Sequence, residues 1–242
     1  MTAQGGKSIY GASVGILMLD TRFPRIPGDM GNASTWPFPV LYKIVKGATP
    51  DLVVRRGAAG TLDTFVSAAR ELVSIGADGI TTNCGFLSLF QKELAQAVSV
   101  PVVSSALMQV RQVNALLPDD RRTGILTISQ STLTKAHLDK AYVPPDTPIG
   151  TTENGREFTR VILGDEAELD VNAACQDNVD AALDLQKRNP DLGAIVLECT
   201  NMCPYASAIR TATGLPVFSM VDLVNWFHSG LRPKQYLTRP GG

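Results

Sequence analysis

The chain is poor in the residues from which most metal, cofactor and nucleic-acid sites are made. It holds only two histidines and four cysteines in 242 residues. The histidines, His137 and His228, fall in predicted helices away from the cysteines, and Cys199-x3-Cys203 without a nearby histidine is a poor zinc signature, so no metal is expected. No Gly-x-Gly-x-x-Gly follows a strand and no Walker-type loop occurs, which removes the usual nucleotide cradles. Lysines are few near the predicted site, leaving no Schiff-base position for pyridoxal phosphate; no cofactor is expected. Charge of one sign is also missing: 22 basic and 23 acidic residues leave a net charge of −1. Nothing draws a polyanion, and the pairs Arg55-Arg56 and Arg121-Arg122 read as solvated surface, so nucleic acid is not an expected partner. No run approaches the roughly 20 apolar residues that span a bilayer, and Met1 to Ser8 lack a signal peptide's apolar stretch. A cytoplasmic location away from membranes is the expectation, with reduced thiols.

What is present is ordinary globular material, 44% hydrophobic and 19% charged, arranged in alternating strands and helices. Ala12 to Asp20 is an apolar run of strand length. Residues 22–39, with four prolines, must be a long loop, either a binding loop or a structural wrap. Helical spacing over 61–75 stops at Gly76. A strand over 78–83, a helix over 86–98, a strand over 100–103 and a helix capped by Ser104 follow. The second half repeats this order: strand 123–128, helices 131–139 and 171–188, strand 193–197, helix 203–213, strand 215–218 and a helix from Ser219. Such alternation predicts an α/β fold with parallel sheets covered on both faces. The expected organisation is two similar three-layer lobes related by a pseudo-two-fold axis, 1–105 with 219–242 and 106–218, with the site in the cleft between them.

An internal repeat singles out two thiols. A shift of 115 positions lays Cys84 on Cys199, Pro101 on Pro216, Val102 on Val217 and Ser104 on Ser219. A shift of 109 lays Gly15-Ile16-Leu17 on Gly124-Ile125-Leu126 and brings Asp20 opposite Ser129. Each repeated cysteine stands at the carboxyl end of a strand and before a helix, where parallel sheets place ligand-binding groups. Cys175 lies on the apolar face of a helix and reads as a small hydrophobe. Cys203 is a further candidate thiol.

A thiol at a helix N-terminus is expected to shift toward thiolate. Two thiols on opposite faces of one carbon would remove a proton on one side and deliver one on the other, which inverts a stereocentre. The carbanion needs donors on its carboxylate. Asn83, Gly85 and Phe86 beside the first cysteine and Thr200 and Asn201 beside the second suit that task, as do Asp20, Ser104, Thr127 and Ser129 at neighbouring strand ends.

Thr81-Thr82-Asn83-Cys84-Gly85 together with Leu197-Glu198-Cys199-Thr200-Asn201 resembles the aspartate/glutamate racemase superfamily, and the likeness runs from Gly15 to Val217. It implies two α/β lobes, one catalytic cysteine from each (Cys84 and Cys199), and no metal or pyridoxal phosphate. Gly85-Phe86 after the first cysteine and Asn201 after the second depart from glutamate racemases and point to another substrate. The expected activity is two-base racemisation or epimerisation of an amino acid or related small carboxylic acid. The alternative is a decarboxylase or cis-trans isomerase using one cysteine, and a third reading is a carboxylate-binding protein without turnover. Homo-oligomerisation is left open.

Overall fold

A computed structural model of the chain describes Thr2 and residues 4–236; residues 237–242 of the expected first lobe lie outside the described residues. The first sheet holds β1 (Val14–Leu19), β2 (Val40–Val45), β3 (Gly79–Thr82) and β4 (Val102–Val103). The second holds β5 (Arg122–Thr127), β6 (Ile149–Thr151), β7 (Leu192–Leu197) and β8 (Val217–Phe218). Both are four-stranded and wholly parallel, in the orders β2-β1-β3-β4 and β6-β5-β7-β8. The second order is the first repeated, as the internal repeat requires.

Central β1 is buried at all six positions, which is why it reads as an unbroken apolar run. Helix α1 (Leu62–Ile75) covers one face with Phe65, Ala68, Ala69 and Leu72 and ends at Gly76, whose φ of 137° suits glycine. Fully burying Phe65 contributes about 2 to 3 kcal/mol. In the second lobe α6 (Val171–Arg188) starts at Asp170, whose carboxylate accepts from the N–H groups of Asn172 and Ala173.

The chain passes between the lobes twice. After β4, α3 (Val110–Asn114) packs on β5 and β7; after β8, α8 (Met220–Leu231) returns to β3. There Phe227 and Leu231 lie so close to Gly79 that a side chain at that position would collide with both rings and methyls. Ser219 and Asp222 form a reciprocal capping box that starts α8.

Several elements differ from the sequence expectations. Edge strand β2, the three-residue β6 and α5 (Phe158–Gly164) were not anticipated. β2 is only partly buried and lacks a clean alternation, with pattern Val40 to Val45 buried only at Leu41 and Val45. The helices expected at 86–98, 104–117 and 203–213 each begin as 3-10 turns, Gly85–Phe90, Ala106–Gln109 and Thr200–Tyr205, before α2 (Gln91–Ala97), α3 and α7 (Ala206–Thr213). Ser105, not Ser104, caps the second of these, accepting from Leu107 N–H at 3.2 Å. The helix expected at 131–139 is α4 (Lys135–Lys140), started by a Thr134 and His137 capping box. Among the described residues no helix is long and apolar enough to cross a membrane.

Candidate active site

Strands β3 and β7 hold the same place in their two sheets, and the residues that follow them meet at one cavity. Asn83 N–H donates to Leu17 O at 3.0 Å and Glu198 N–H to Leu126 O at 2.8 Å, which are equivalent bonds in the two lobes. The next residues, Cys84 and Cys199, head their 3-10 turns in extended conformation. Both thiols are buried, and both line one small cavity with Asn83, Gly85, Phe86, Glu198 and Asn201. Its volume is about 20 Å³, room for roughly one water molecule. Leu19, Phe23, Pro50, Val54, Ile128, Ile162 and Leu163 complete an apolar wall. Among the described residues no lysine or arginine lines it.

Of the expected site residues, Cys84, Cys199, Asn83, Gly85, Phe86 and Asn201 therefore meet at the cavity. Thr127 and Thr200 stand behind its wall: Thr127 Oγ1 donates to Glu198 Oε2 at 2.8 Å and Thr200 Oγ1 to Asn83 O at 2.5 Å. Asp20, Ser104 and Ser129 do not line it. Asp20 accepts from Gly47 N–H at 3.1 Å and fixes the turn after β2. Ser104 is buried beside Gln91, whose Oε1 accepts its N–H at 2.9 Å. Ser129 Oγ donates to Glu153 at 2.7 Å. Asp20 and Ser129 are thus engaged within their own lobes, while the Ser104 hydroxyl is buried without a hydrogen-bond partner.

The thiols are not activated as their position suggests. Backbone N–H groups of Phe86 and Leu87 favour a thiolate at Cys84, yet burial and the neighbouring Glu198 outweigh them and push its pKa up to about 12. Cys199 is raised for the same two reasons, and its Sγ lies 3.6 Å from Asn201 Oδ1, to which it donates. In the closed cavity burial therefore favours the thiol form of both.

Glu198 escaped the sequence reading. It is fully buried; Oε2 accepts from Thr127, while Oε1 has no hydrogen-bond partner. Burial raises its pKa to about 7. Its signal was present: a carboxylate at the end of the apolar Leu192–Leu197 strand, which the 115-residue shift lays on Asn83. Gly85 packs against it, since a Cβ there would collide with Glu198 Oε1 and its carbonyl oxygen. Loop 22–39 was also underestimated. Buried Asp29 pairs with Arg25 at 2.8 Å and accepts from Asn201 Nδ2 at 2.6 Å, while Arg22 N–H donates to Asp165 at 2.6 Å. The loop thus leaves the first lobe, is pinned to the second, and places Phe23 over the cavity. Cys203 lies elsewhere, buried against the start of α8 near Met220 and Val221 N–H.

No family model matches the chain. Among solved structures, a liganded arylmalonate decarboxylase variant superposes with a TM-score of 0.63 at 16% identity, covering 95% of this chain and 97% of that one. Allantoin racemase from Klebsiella pneumoniae gives 0.61 at 18%, covering 94% and 97%, and a glutamate racemase from Bacillus anthracis 0.56 at 16%, covering 91% and 83%. The chain shares the two-lobed α/β fold of these decarboxylase and racemase structures. Within that fold its sequence is nearer to proteins named for another reaction. A dimethylsulfoniopropionate lyase from Durusdinium sp. clade D is 28% identical over 236 residues, 92% of this chain and 76% of the relative. Dimethylsulfoniopropionate lyase 3 of Emiliania huxleyi is 29% identical over 232 residues, 88% of this chain, and lyase 5 is 28% identical over 228 residues, 90% of this chain. This chain spans only 58% and 45% of the length of those two. The relatives similar in sequence are thus named lyases, while the structures similar in fold include racemases.

Proposed function

We propose that the chain is a cofactor-independent acid–base enzyme that removes the α-proton of a small carboxylic acid, after which the carbanion expels a β substituent. The observation that carries this reading is the cavity: two thiols and one buried carboxyl share a space walled by apolar side chains and lined by no basic one. Aspartate or glutamate would bring a second carboxylate with no cation to receive it. A propionate bearing a compact onium group at the β carbon suits the same walls, because the aromatic rings of Phe23 and Phe86 and the Glu198 carboxyl are among the groups that line them. The relatives' names supply a substrate of that class, dimethylsulfoniopropionate.

Cys84 is the base in this scheme, since it receives two backbone N–H groups, and Cys199, donating to Asn201, keeps its proton. Parting of the walls to admit substrate exposes Cys84 to water, to which its proton is lost; the thiolate so formed, held by the two N–H groups, takes the α-proton, forming S–H as C–H breaks. The electron pair moves onto the carboxylate, then forms the Cα–Cβ double bond as the C–S bond breaks, releasing neutral dimethyl sulfide and acrylate. No redox partner is needed. Asn83, Gly85, Phe86 and Asn201 line the substrate, and entry requires Phe23, Val54 and Leu163 to part.

The test is incubation with dimethylsulfoniopropionate, following dimethyl sulfide by gas chromatography and acrylate by NMR. Aspartate, glutamate, hydantoins and allantoin run beside it in deuterated water. Sulfide release is expected; α-deuteration of an amino acid or hydantoin with no alkene formed would overturn the lyase reading. That outcome would favour the second reading, two-base racemisation, which the presence of both thiols in one cavity supports.

A further inference from the structure

Glu198 occupies the lobe-two position that Asn83 occupies in lobe one. Both accept a backbone N–H from the strand alongside: Leu19 N–H donates to Asn83 Oδ1 at 2.8 Å, and Ile128 N–H points at the Glu198 carboxyl. Asn83 lines the cavity with its Oδ1 engaged, which leaves its NH2 as the end able to donate. With Oε2 engaged by Thr127, Glu198 turns Oε1 there, fully buried and without a partner. Cys84, Cys199 and Glu198 line the same cavity, so a ligand lying between the two thiols comes beside this carboxyl.

The charges around Glu198 decide what Oε1 does. Cys84 and Cys199 face it from the two turns, and both resist ionisation beside it. From loop 22–39, Arg25 acts on Cys84 but is already paired with Asp29. A substrate carboxylate entering here meets no free cation, and two carboxylates in one dry site cannot both stay ionised. We infer that Glu198 works as a carboxylic acid, its Oε1–H donating a hydrogen bond to the carboxylate of the bound substrate and so holding the charge that develops there when the α-proton leaves. This rests on the reading above that the cavity takes a carboxylate. Asn83 and Glu198 are then a matched pair of donors, one amide and one acid, from equivalent positions in the two lobes. The raised pKa of about 7 agrees with this and adds a consequence: substrate binds with uptake of a proton from neutral and alkaline solution.

The experiment compares wild type, Glu198→Gln and Glu198→Ala, each checked for native circular dichroism. Gln keeps a donor and no charge, so it is expected to lower turnover by about tenfold, whereas Ala loses about a thousandfold. Wild-type kcat/KM falls on the alkaline side of neutrality and Glu198→Gln does not. Calorimetry with propionate, in buffers of different ionisation enthalpy at about pH 8, reads proton uptake by wild type and none by Glu198→Gln. A folded Glu198→Gln as inactive as Glu198→Ala, or propionate binding to wild type without proton uptake, would overturn the inference while leaving the lyase reading intact. Wild type inactive on every acid sinks the proposed function first, and this inference with it.

Discussion

In the first lobe the strand that carries the thiol ends in an amide, Asn83; in the second it ends in a carboxylic acid, Glu198. The backbone around them is duplicated closely: the same strand order, the same N–H to carbonyl bonds into the neighbouring strand, and a 3-10 turn after each cysteine. The side chains are not. Gly85 and Phe86 follow the first cysteine where Thr200 and Asn201 follow the second. Gly85 leaves room for the Glu198 carboxyl, and Thr200 reaches back to bond the carbonyl of Asn83, so each lobe packs on the residue before the other lobe's cysteine. A symmetric scaffold thus holds an asymmetric site, which fits a reaction that needs one base better than one that needs two equal ones.

The sharpest way to break that comparison is to remove each thiol in turn. Cys84→Ser is expected to lower the turnover of a β-sulfonio acid by about a thousandfold or more, since a serine hydroxyl cannot serve as the base. Cys199→Ser, which keeps a donor to Asn201, is expected to cost only about tenfold. Equal losses, together with α-deuteration that needs both sulfurs, would mean the lobes do equal work and the enzyme racemises.

The amide can be made to imitate the acid. Asn83→Asp keeps the acceptor for Leu19 N–H but adds a second carboxyl to a cavity that no cation lines. A drop of about a hundredfold in kcat/KM, carried by KM and recovered in part at acid pH, is expected for a carboxylate substrate. An unchanged KM would show that the substrate's carboxylate is not held near Asn83.

Much of this was legible in the chain itself. β1 and β7 are almost wholly buried and read as apolar runs, β3 and β5 are legible as strands despite their threonines, and the 115-residue repeat isolates Cys84 and Cys199 from Cys175 and Cys203. Edge strand β2 and short α5 lack such runs, yet they bring Val54, Ile162 and Leu163 into reach of the cavity. The long loop was visible as proline-rich, but its purpose lies in pairs far apart in sequence, Asp29 with Asn201 and Arg22 with Asp165. Asp20, Ser104 and Ser129 stand at strand ends as ligands do, yet they do not line the cavity: Asp20 and Ser129 bond to Gly47 and Glu153, and the Ser104 hydroxyl is buried without a partner. Glu198 was hidden because its meaning depends on burial, which turns an ordinary carboxylate into a weak acid.

That last point has a consequence for stability, smaller than the catalytic effects and independent of any substrate. Glu198 is raised from 4.5 to about 7 on folding, so between those values the folded state holds a proton that the unfolded chain has released. Its contribution is full below about pH 4.5, falls as pH rises, and is exhausted once the folded carboxyl ionises above about pH 7. The whole displacement is worth roughly 3 kcal/mol, and an amide that imperfectly reproduces the Thr127 bond loses about 1. Glu198→Gln should therefore match or slightly trail wild type near pH 4 and exceed it by about 2 kcal/mol at pH 8, measured by urea unfolding at both pH values. Asn83→Gln tests nothing of the kind, because its lobe holds no proton to lose. If the wild-type and Glu198→Gln stability curves run parallel from acid to alkaline pH, Glu198 titrates alike in the folded and unfolded chain, is ionised at neutral pH, and the two lobes differ at this position in charge as well as in residue.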